Sequence, residues 1–338
     1  MEAAVGSIGS SAETQIIGQR KTLSQILHKL LLKEGFALLI AWIIMVAVFT
    51  ITSPHFLNTR NLLNIGRSVA IMGVVSTGVT IGLIGGVFDL SIAAVADVSA
   101  VVTSLMSLEF GFPPVLAMLV GLCVGVICGL INGLLVTKLR INPIIGTLAT
   151  AGVFRGIAFL LTGGKSHAID SEGFRWLGRS QVIGLPSAVI VMIIVMIIAY
   201  IVLRHTKFGR YTYAVGGNPL ASRLAGINID RHRLALFMIV AVSASLGGLV
   251  MLSKLGTMIP NANAGTELDM IAASILGGTA LAGGGGSIQG MLMGVLILGT
   301  LRNGLVLNNV NAYWQEIASG IALIIAVGID HLRTGGYR

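Results

Sequence analysis

Ten apolar stretches, near residues 36–53, 67–86, 89–107, 114–136, 143–162, 186–203, 234–253, 267–282, 286–306 and 313–330, follow one another with mostly short polar connections. About 20 apolar residues in a helix match the hydrocarbon thickness of a bilayer. Inside lipid a lone segment must satisfy every backbone N–H and C=O internally, which a helix does. Composition agrees: 55% of the 338 residues are hydrophobic, 10% are charged, and mean hydropathy is +0.92. No soluble domain of this length hides so much apolar surface. The expected fold is therefore an all-α polytopic membrane protein of about ten transmembrane helices. Its 45 glycines would weaken helices in water, but in a membrane they let helix backbones approach closely.

Charge sets the expected orientation. With ten crossings, both termini, the Lys138/Arg140 loop and the Arg204–Arg233 loop fall on one side. That side holds 14 of the 22 Lys and Arg, against 6 in the opposite loops and 2 (Arg155, Arg302) within stretches. The positive-inside rule makes it the cytoplasm. The net charge of +9 is spread over short loops rather than one face, so it is no footprint for nucleic acid. Residues 1–35 form a cytoplasmic tail in which Leu23, Ile26, Leu27 and Leu30 recur at helical spacing, as in an amphipathic interfacial helix. The membrane domain is expected over 36–330 and a second cytoplasmic tail over 331–338. Two regions, 67–107 and 267–306, are broken by glycine clusters. Either could hold a partly re-entrant segment, although parity favours two crossings for each.

Two short echoes point to duplication. Asp89-Leu90-Ser91-Ile92-Ala93-Ala94 opens the third stretch and Leu268-Asp269-Met270-Ile271-Ala272-Ala273 the eighth. Asn132-Gly133-Leu134 ends the fourth and Asn303-Gly304-Leu305 the ninth. An offset of five crossings reverses direction, which implies two inverted five-helix repeats. In the fourth stretch Gly121, Gly125, Gly129 and Gly133 recur every four residues. They form one helix ridge, assigned to packing against a neighbour.

Catalytic signals fail on inspection. Thr162-Gly163-Gly164-Lys165-Ser166 resembles the end of a phosphate loop, but Phe159 stands where a glycine is needed and a membrane span precedes it. No His and carboxylate set has metal-ligand spacing, and two cysteines within one span make no framework. Neither a catalytic nor a metal site is expected. Ionisable residues at bilayer depth are costly and usually face a bundle interior or a wet path. Asp89, Glu267 and Asp269 each sit where a helix starts, so their carboxylates can simply complement its dipole. Asp97 and Arg155 lie deeper, and either a structural ion pair or a pathway lining fits them. Asp89, Ser91, Asp97 and Arg155 are the candidates for the pathway.

The thirty-residue basic loop Arg204–Arg233 interrupts this apolar chain. Within it Asn218 can cap a helix whose first residue is Pro219, and Gly226 suits the left-handed residue that closes one. So short a helix buries little by itself. It reads as a docking element for a partner outside the membrane, or as an ordinary positive-inside loop.

Four segments together resemble the permeases of ribose-type ABC importers, the branch handling monosaccharides and autoinducer-2: GGVFDLSIAA (85–94), NPIIGTLATAGVFRGIAFLLTGG (142–164), FGRYTYAVGGNPLASRLAGIN (208–228) and ELDMIAASILGGTALAGGGGSIQG (267–290). The resemblance covers nearly everything from Phe36 to Asp330. It implies a type II importer fold in the cell (inner) membrane and import of a monosaccharide or related polar solute. It also implies a second permease subunit, identical or homologous, an extracytoplasmic binding protein and surrounding lipid. A separate cytoplasmic ATPase would carry ATP and Mg, leaving no cofactor on this chain. Gly216, Gly217, Asn218, Pro219, Leu220, Arg223, Leu224 and Gly226 would then couple to that ATPase. Val87 and Phe88 separate the glycine pair from Asp89, where many members have one residue. The competing reading is a secondary transporter with inverted repeats driven by an ion gradient. It would require intramembrane ion ligands and no capped cytoplasmic helix.

Overall fold

The computed structural model describes residues 34–169 and 172–334. The tail to residue 33, with its expected interfacial helix, lies outside the described residues. The chain is built of helices: α1 (Glu34–Thr52), α2 (Thr59–Ile84), α3 (Ile92–Leu108), α4 (Pro114–Thr137), α5 (Pro143–Thr162), α6 (Glu172–Gly178), α7 (Ser187–His205), α8 (Lys207–Gly217), α9 (Pro219–Leu224), α10 (Ile229–Leu255), α11 (Thr266–Leu276), α12 (Ile288–Leu307) and α13 (Ala312–Thr334). Among the described residues α2, α4, α5, α7, α10 and α12 are long and apolar enough to cross a membrane, while α3 and Phe36–Thr52 of α1 are shorter apolar helices. α13 runs on to Thr334, into the segment assigned to the tail.

Helix ends follow local chemistry. Asn58 and Asn142 accept hydrogen bonds from Arg60 N (2.9 Å) and Ile144 N (2.9 Å), and Pro114, Pro143 and Pro219 open helices where no N–H is needed. The connection between α5 and α7 carries regular structure among its described residues. It contains α6 and a hairpin pairing Gln181–Val182 with Leu185–Pro186, whose turn residues Ile183 and Gly184 both have positive φ.

α2 is the central helix, buried from Val69 to Ile84 and packed against α7, α10, α11 and α12. α10 continues the core against α3 and α4, α1 packs on α12, and α5 and α13 cover α3 and α11. Large side chains such as Ile51, Val115, Leu160 and Ile198 stay exposed, as suits a bundle whose solvent is lipid.

The stretch 267–282 differs from a continuous crossing. After α10 the chain forms a two-residue strand, with Met258 opposite His167 and Thr257 opposite Ala168. It then passes without helix to Asn263, which is buried in the bundle. α11 has 11 residues, about 16 Å, or half of a bilayer. A non-helical turn, 277–287, follows and leads into α12. Non-helical backbone at such depth is tolerable because protein rather than lipid surrounds it.

Candidate functional site

The basic loop holds two helices, where one was expected. Thr206 caps α8, its hydroxyl accepting from Gly209 N at 3.2 Å. Asn218 Oδ1 accepts from Ala221 N at 2.9 Å and starts α9. At the far end Gly226 N donates to Arg223 O and Ile227 N to Ser222 O, both at 3.0 Å. These two bonds make a Schellman closure, and Gly226 takes the left-handed φ of +83° it requires. Only Ser222 of α9 is buried. Pro219, Leu220, Arg223 and Leu224 face outward, with Leu220 71% and Leu224 82% exposed.

Gly216 and Gly217, adjacent in sequence, have different settings. Gly216 is buried where α8 meets the end of α2 and the turn before α12. There Gly284 N donates to Ile84 O at 2.8 Å, and a Cβ on Gly216 would lie 2.6 Å from Gly284 N and closer still to Ile84 O. Gly217 is exposed, and its nearest neighbour would be Gly284 Cα at 3.8 Å. Nearby, Arg140 after α4 makes a two-pronged pair with Asp230 at the start of α10, at 3.0 and 3.3 Å. The two basic loops therefore share one end of the bundle.

Asp89 and Ser91 sit in a buried polar knot before α3. Asp89 Oδ1 accepts from Ser91 N (2.7 Å) and Ser91 Oγ (2.6 Å), while Asn132 Nδ2 donates to Asp89 Oδ2 (3.2 Å) and Ser91 Oγ (2.8 Å). Thr150 Oγ1 donates to Asn132 Oδ1 at 2.7 Å. The knot ties α3 to α4 and α5, and most of its bonding capacity is spent internally.

Asp97 lies elsewhere, fully buried on α3. Its Oδ1 accepts from Asn263 N (3.0 Å) and Asn263 Nδ2 (2.8 Å), while Oδ2 has no hydrogen-bond partner among the described residues. Arg155 is near enough to act on Asp97 electrostatically, yet no ion pair joins them among the described residues. The partner of Arg302 is instead Asp269, at 2.8 Å. Sequence reasoning named both residues without pairing them, and it missed Asn263 and the function of Asn132. For Asn132 the available signal was an Asn inside an apolar stretch, since a buried amide needs partners, whereas Asn263 lies between two stretches and gave none.

The glycines of α4 lie along α10. A Cβ at Gly125 would meet Ser245 Cβ at 2.6 Å, one at Gly129 Met238 Cα at 2.7 Å, and one at Gly133 Leu234 Cα at 3.2 Å. Gly121 lies against Thr103 and Ser99 of α3 and Leu249 of α10.

Residues 61–327 match the family described as branched-chain amino acid transport system / permease component. The ribose import permease protein RbsC of Bacillus subtilis (strain 168) is 40% identical over 293 residues, covering 86% of this chain and 91% of its own length. The L-arabinose transport system permease protein AraH of Escherichia coli (strain K12) is 34% identical over 308 residues, 89% and 91% of the two chains. The fructose import permease protein FrcC of Rhizobium meliloti is 32% identical over 320 residues, 92% and 89%. No solved structure matches the chain. The chain thus belongs to the permease-component family of branched-chain amino acid transport systems, in the branch of ribose-type ABC importer permeases.

Proposed function

We propose that this multi-pass membrane protein carries a monosaccharide such as ribose, arabinose or fructose, the sugars named for its relatives, into the cell. A separate ATPase subunit, holding ATP and Mg, docks on α9, and an extracytoplasmic binding protein delivers the sugar. A second permease subunit, identical or homologous, completes the pore in the cell (inner) membrane. Both termini face the cytoplasm. The observation that carries this reading is α9 itself. It is capped at both ends, presents Leu220 and Leu224 beside Arg223 on its free surface, and is joined through Gly216 to the end of the central helix. An ion-driven carrier would need no such projection, and the relatives named above are import and transport-system permeases.

Ten crossings in two inverted halves fit the packing. α3 lies on α4 and α5 as α11 lies on α12 and α13, and a non-helical approach precedes both α3 and α11. Discontinuous helices at such depth recur at transport sites.

The deciding experiment expresses the chain with its cognate ATPase and binding protein in cells lacking sugar uptake. Co-purification of the ATPase and ATP-dependent uptake of one of the three sugars are expected. Uptake that persists without the ATPase and collapses with the proton gradient would overturn the reading in favour of the ion-driven carrier.

A further inference from the structure

At the α9 end of the bundle a groove of about 780 Å³ opens between the end of α7, α8 and the start of α12. Tyr200 and Arg204 line it from α7, Arg210 and Tyr213 from α8, and Gln289 from α12. The hydroxyl of Tyr213 donates to Gly286 O at 2.9 Å, which ties α8 to the turn before α12 and joins the walls. Arg204 is close enough to Tyr213 to act on it electrostatically. Neither Arg204 nor Arg210 enters an ion pair among the described residues, and Asp230 at the same end is taken by Arg140. The positive-inside rule accounts for the sign of these charges. It does not account for two guanidiniums, from different helices, lining one groove with no anion among the described residues to face them.

The groove lies at the level of lipid headgroups. α7 has 19 residues, about 28 Å, close to the hydrocarbon thickness, so Arg204 in its last turn reaches the membrane surface. Ile193, Ile197 and Ile201 are exposed on α7 and share a helix face with Tyr200 and Arg204. The groove is thus continuous with a surface whose solvent is lipid.

We propose that this groove binds the phosphate of an anionic phospholipid, from the cytoplasmic leaflet in the orientation proposed above. A guanidinium fork grips two phosphate oxygens at once, and Arg204 and Arg210 offer two such forks. Tyr200 stands at the depth where tyrosine gathers in membrane proteins, and Gln289 adds an amide donor. The acyl chains lie along Ile197 and Ile201. A lipid so held joins α7, α8 and the start of α12, and steadies from outside the segment that leads through Gly216 to α9.

The test measures phospholipid binding by native mass spectrometry, on the full chain purified in detergent together with its ATPase. Phosphatidylglycerol and zwitterionic phosphatidylcholine with the same acyl chains are titrated in turn. Preference for phosphatidylglycerol is expected, weakened about fivefold by Arg204→Gln and as much by Arg210→Gln. Both side chains are exposed, so these variants should melt with the parent. Arg231→Gln removes the same charge from an exposed position of the same loop outside the groove, and should leave binding unchanged. Equal binding of the two lipids, or undiminished binding in both groove variants, would overturn the site. An equal loss in Arg231→Gln would overturn it too, leaving only a general attraction of basic loops to anionic lipid. Displacement of phosphatidylglycerol by equimolar inorganic phosphate would overturn the lipid and assign the groove to a soluble anion. Lipid bound by the chain alone but lost from the complex would overturn it in favour of a surface covered by the ATPase. The readout needs neither sugar nor uptake, so failure of the transport reading would leave the lipid site standing.

Discussion

Gly216→Ala is the sharpest perturbation this structure offers. The added Cβ meets backbone on two sides, Ile84 O and Gly284 N, and backbone cannot rotate aside as a side-chain tip can. The methyl would also wedge into the 2.8 Å bond from Gly284 N to Ile84 O. Overpacking of this kind costs about 1–3 kcal/mol, and a buried amide left without its acceptor about 1–3 more. The expected loss is therefore roughly 2–6 kcal/mol. Gly216 has no positive φ, so helix propensity would if anything favour alanine, and the whole loss is steric. Gly217→Ala is the internal control, because its Cβ finds only Gly284 Cα at 3.8 Å. It should stay within about 0.5 kcal/mol of the parent. Melting of the two detergent-purified variants beside the parent gives the comparison, and sugar uptake in cells gives the functional side. Gly216→Ala should melt well below the parent and lose uptake. Equal melting of both variants would refute the reasoning, since it would mean that the three segments do not meet as described.

The docking surface predicts a different signature. Leu224→Asp, on an 82% exposed side chain, should leave melting unchanged, yet weaken ATPase co-purification by more than tenfold, about 2 kcal/mol; normal co-purification would remove α9 from the interface. Gly125→Leu and Gly129→Leu should lower assembly yield by forcing α4 off α10, each costing about 1–3 kcal/mol, whereas Gly156→Leu, with nothing within 4 Å, should not. Arg302→Met strands the buried carboxylate of Asp269 and should cost about 3 kcal/mol, the low end for a buried pair because Arg302 is partly exposed. Adding Asp269→Asn should recover most of that in a melting assay, and no recovery would mean the pair is not what holds α11 to α12. In the topology, single cysteines at Ser10, Lys138, Ala221 and Gly336 should escape an impermeant thiol reagent applied outside, while those at Ser166 and Asn309 react; labelling at Ala221 would exclude an ATPase there.

The sequence displayed its helices where apolarity and helicity coincide, and misled where they part. Asn218 and Gly226 marked the ends of α9 because caps are local chemistry, readable without tertiary structure. The stretch 267–282 read as a crossing, with a partly re-entrant segment left open at its glycines, since hydropathy reports what surrounds a segment and not whether its backbone is helical. The helix there ends at Leu276, and the chain enters it through the non-helical residues 259–265. α8 was missed although Phe208, Tyr211 and Val215 recur at helical spacing, because three glycines among its eleven residues and its place in a basic loop drew the reading toward irregular chain. It is held by its cap and by the contacts of Gly216. The pairing of Asp269 with Arg302 and the seat of Asn263 on Asp97 join segments distant in the chain. No spacing rule reaches them, although the rarity of such groups in a membrane domain marked three of the four.

One helix runs from the half of the bundle away from α9 to the end where α9 projects. α2 has 26 residues, about 39 Å, and lines a cavity with Ser68, Ile71 and Met72 near its middle. It then runs buried through the bundle and ends at Ile84, against Gly216 and bonded to Gly284. From Gly284 the chain continues into α12, which carries Arg302 and Asn303 back to the same cavity. A displacement of α8 would therefore reach α2 and α12 together, through backbone contacts too close to absorb it. Side-chain layers could take up a shift of an ångström by changing rotamers, whereas three segments meeting glycine to backbone cannot. The coupling proposed above would need such a stiff link, over roughly the 24 Å that α2 rises from Ser68 to Ile84. The glycines that would spoil a helix in water are what bring the backbones close enough to form it.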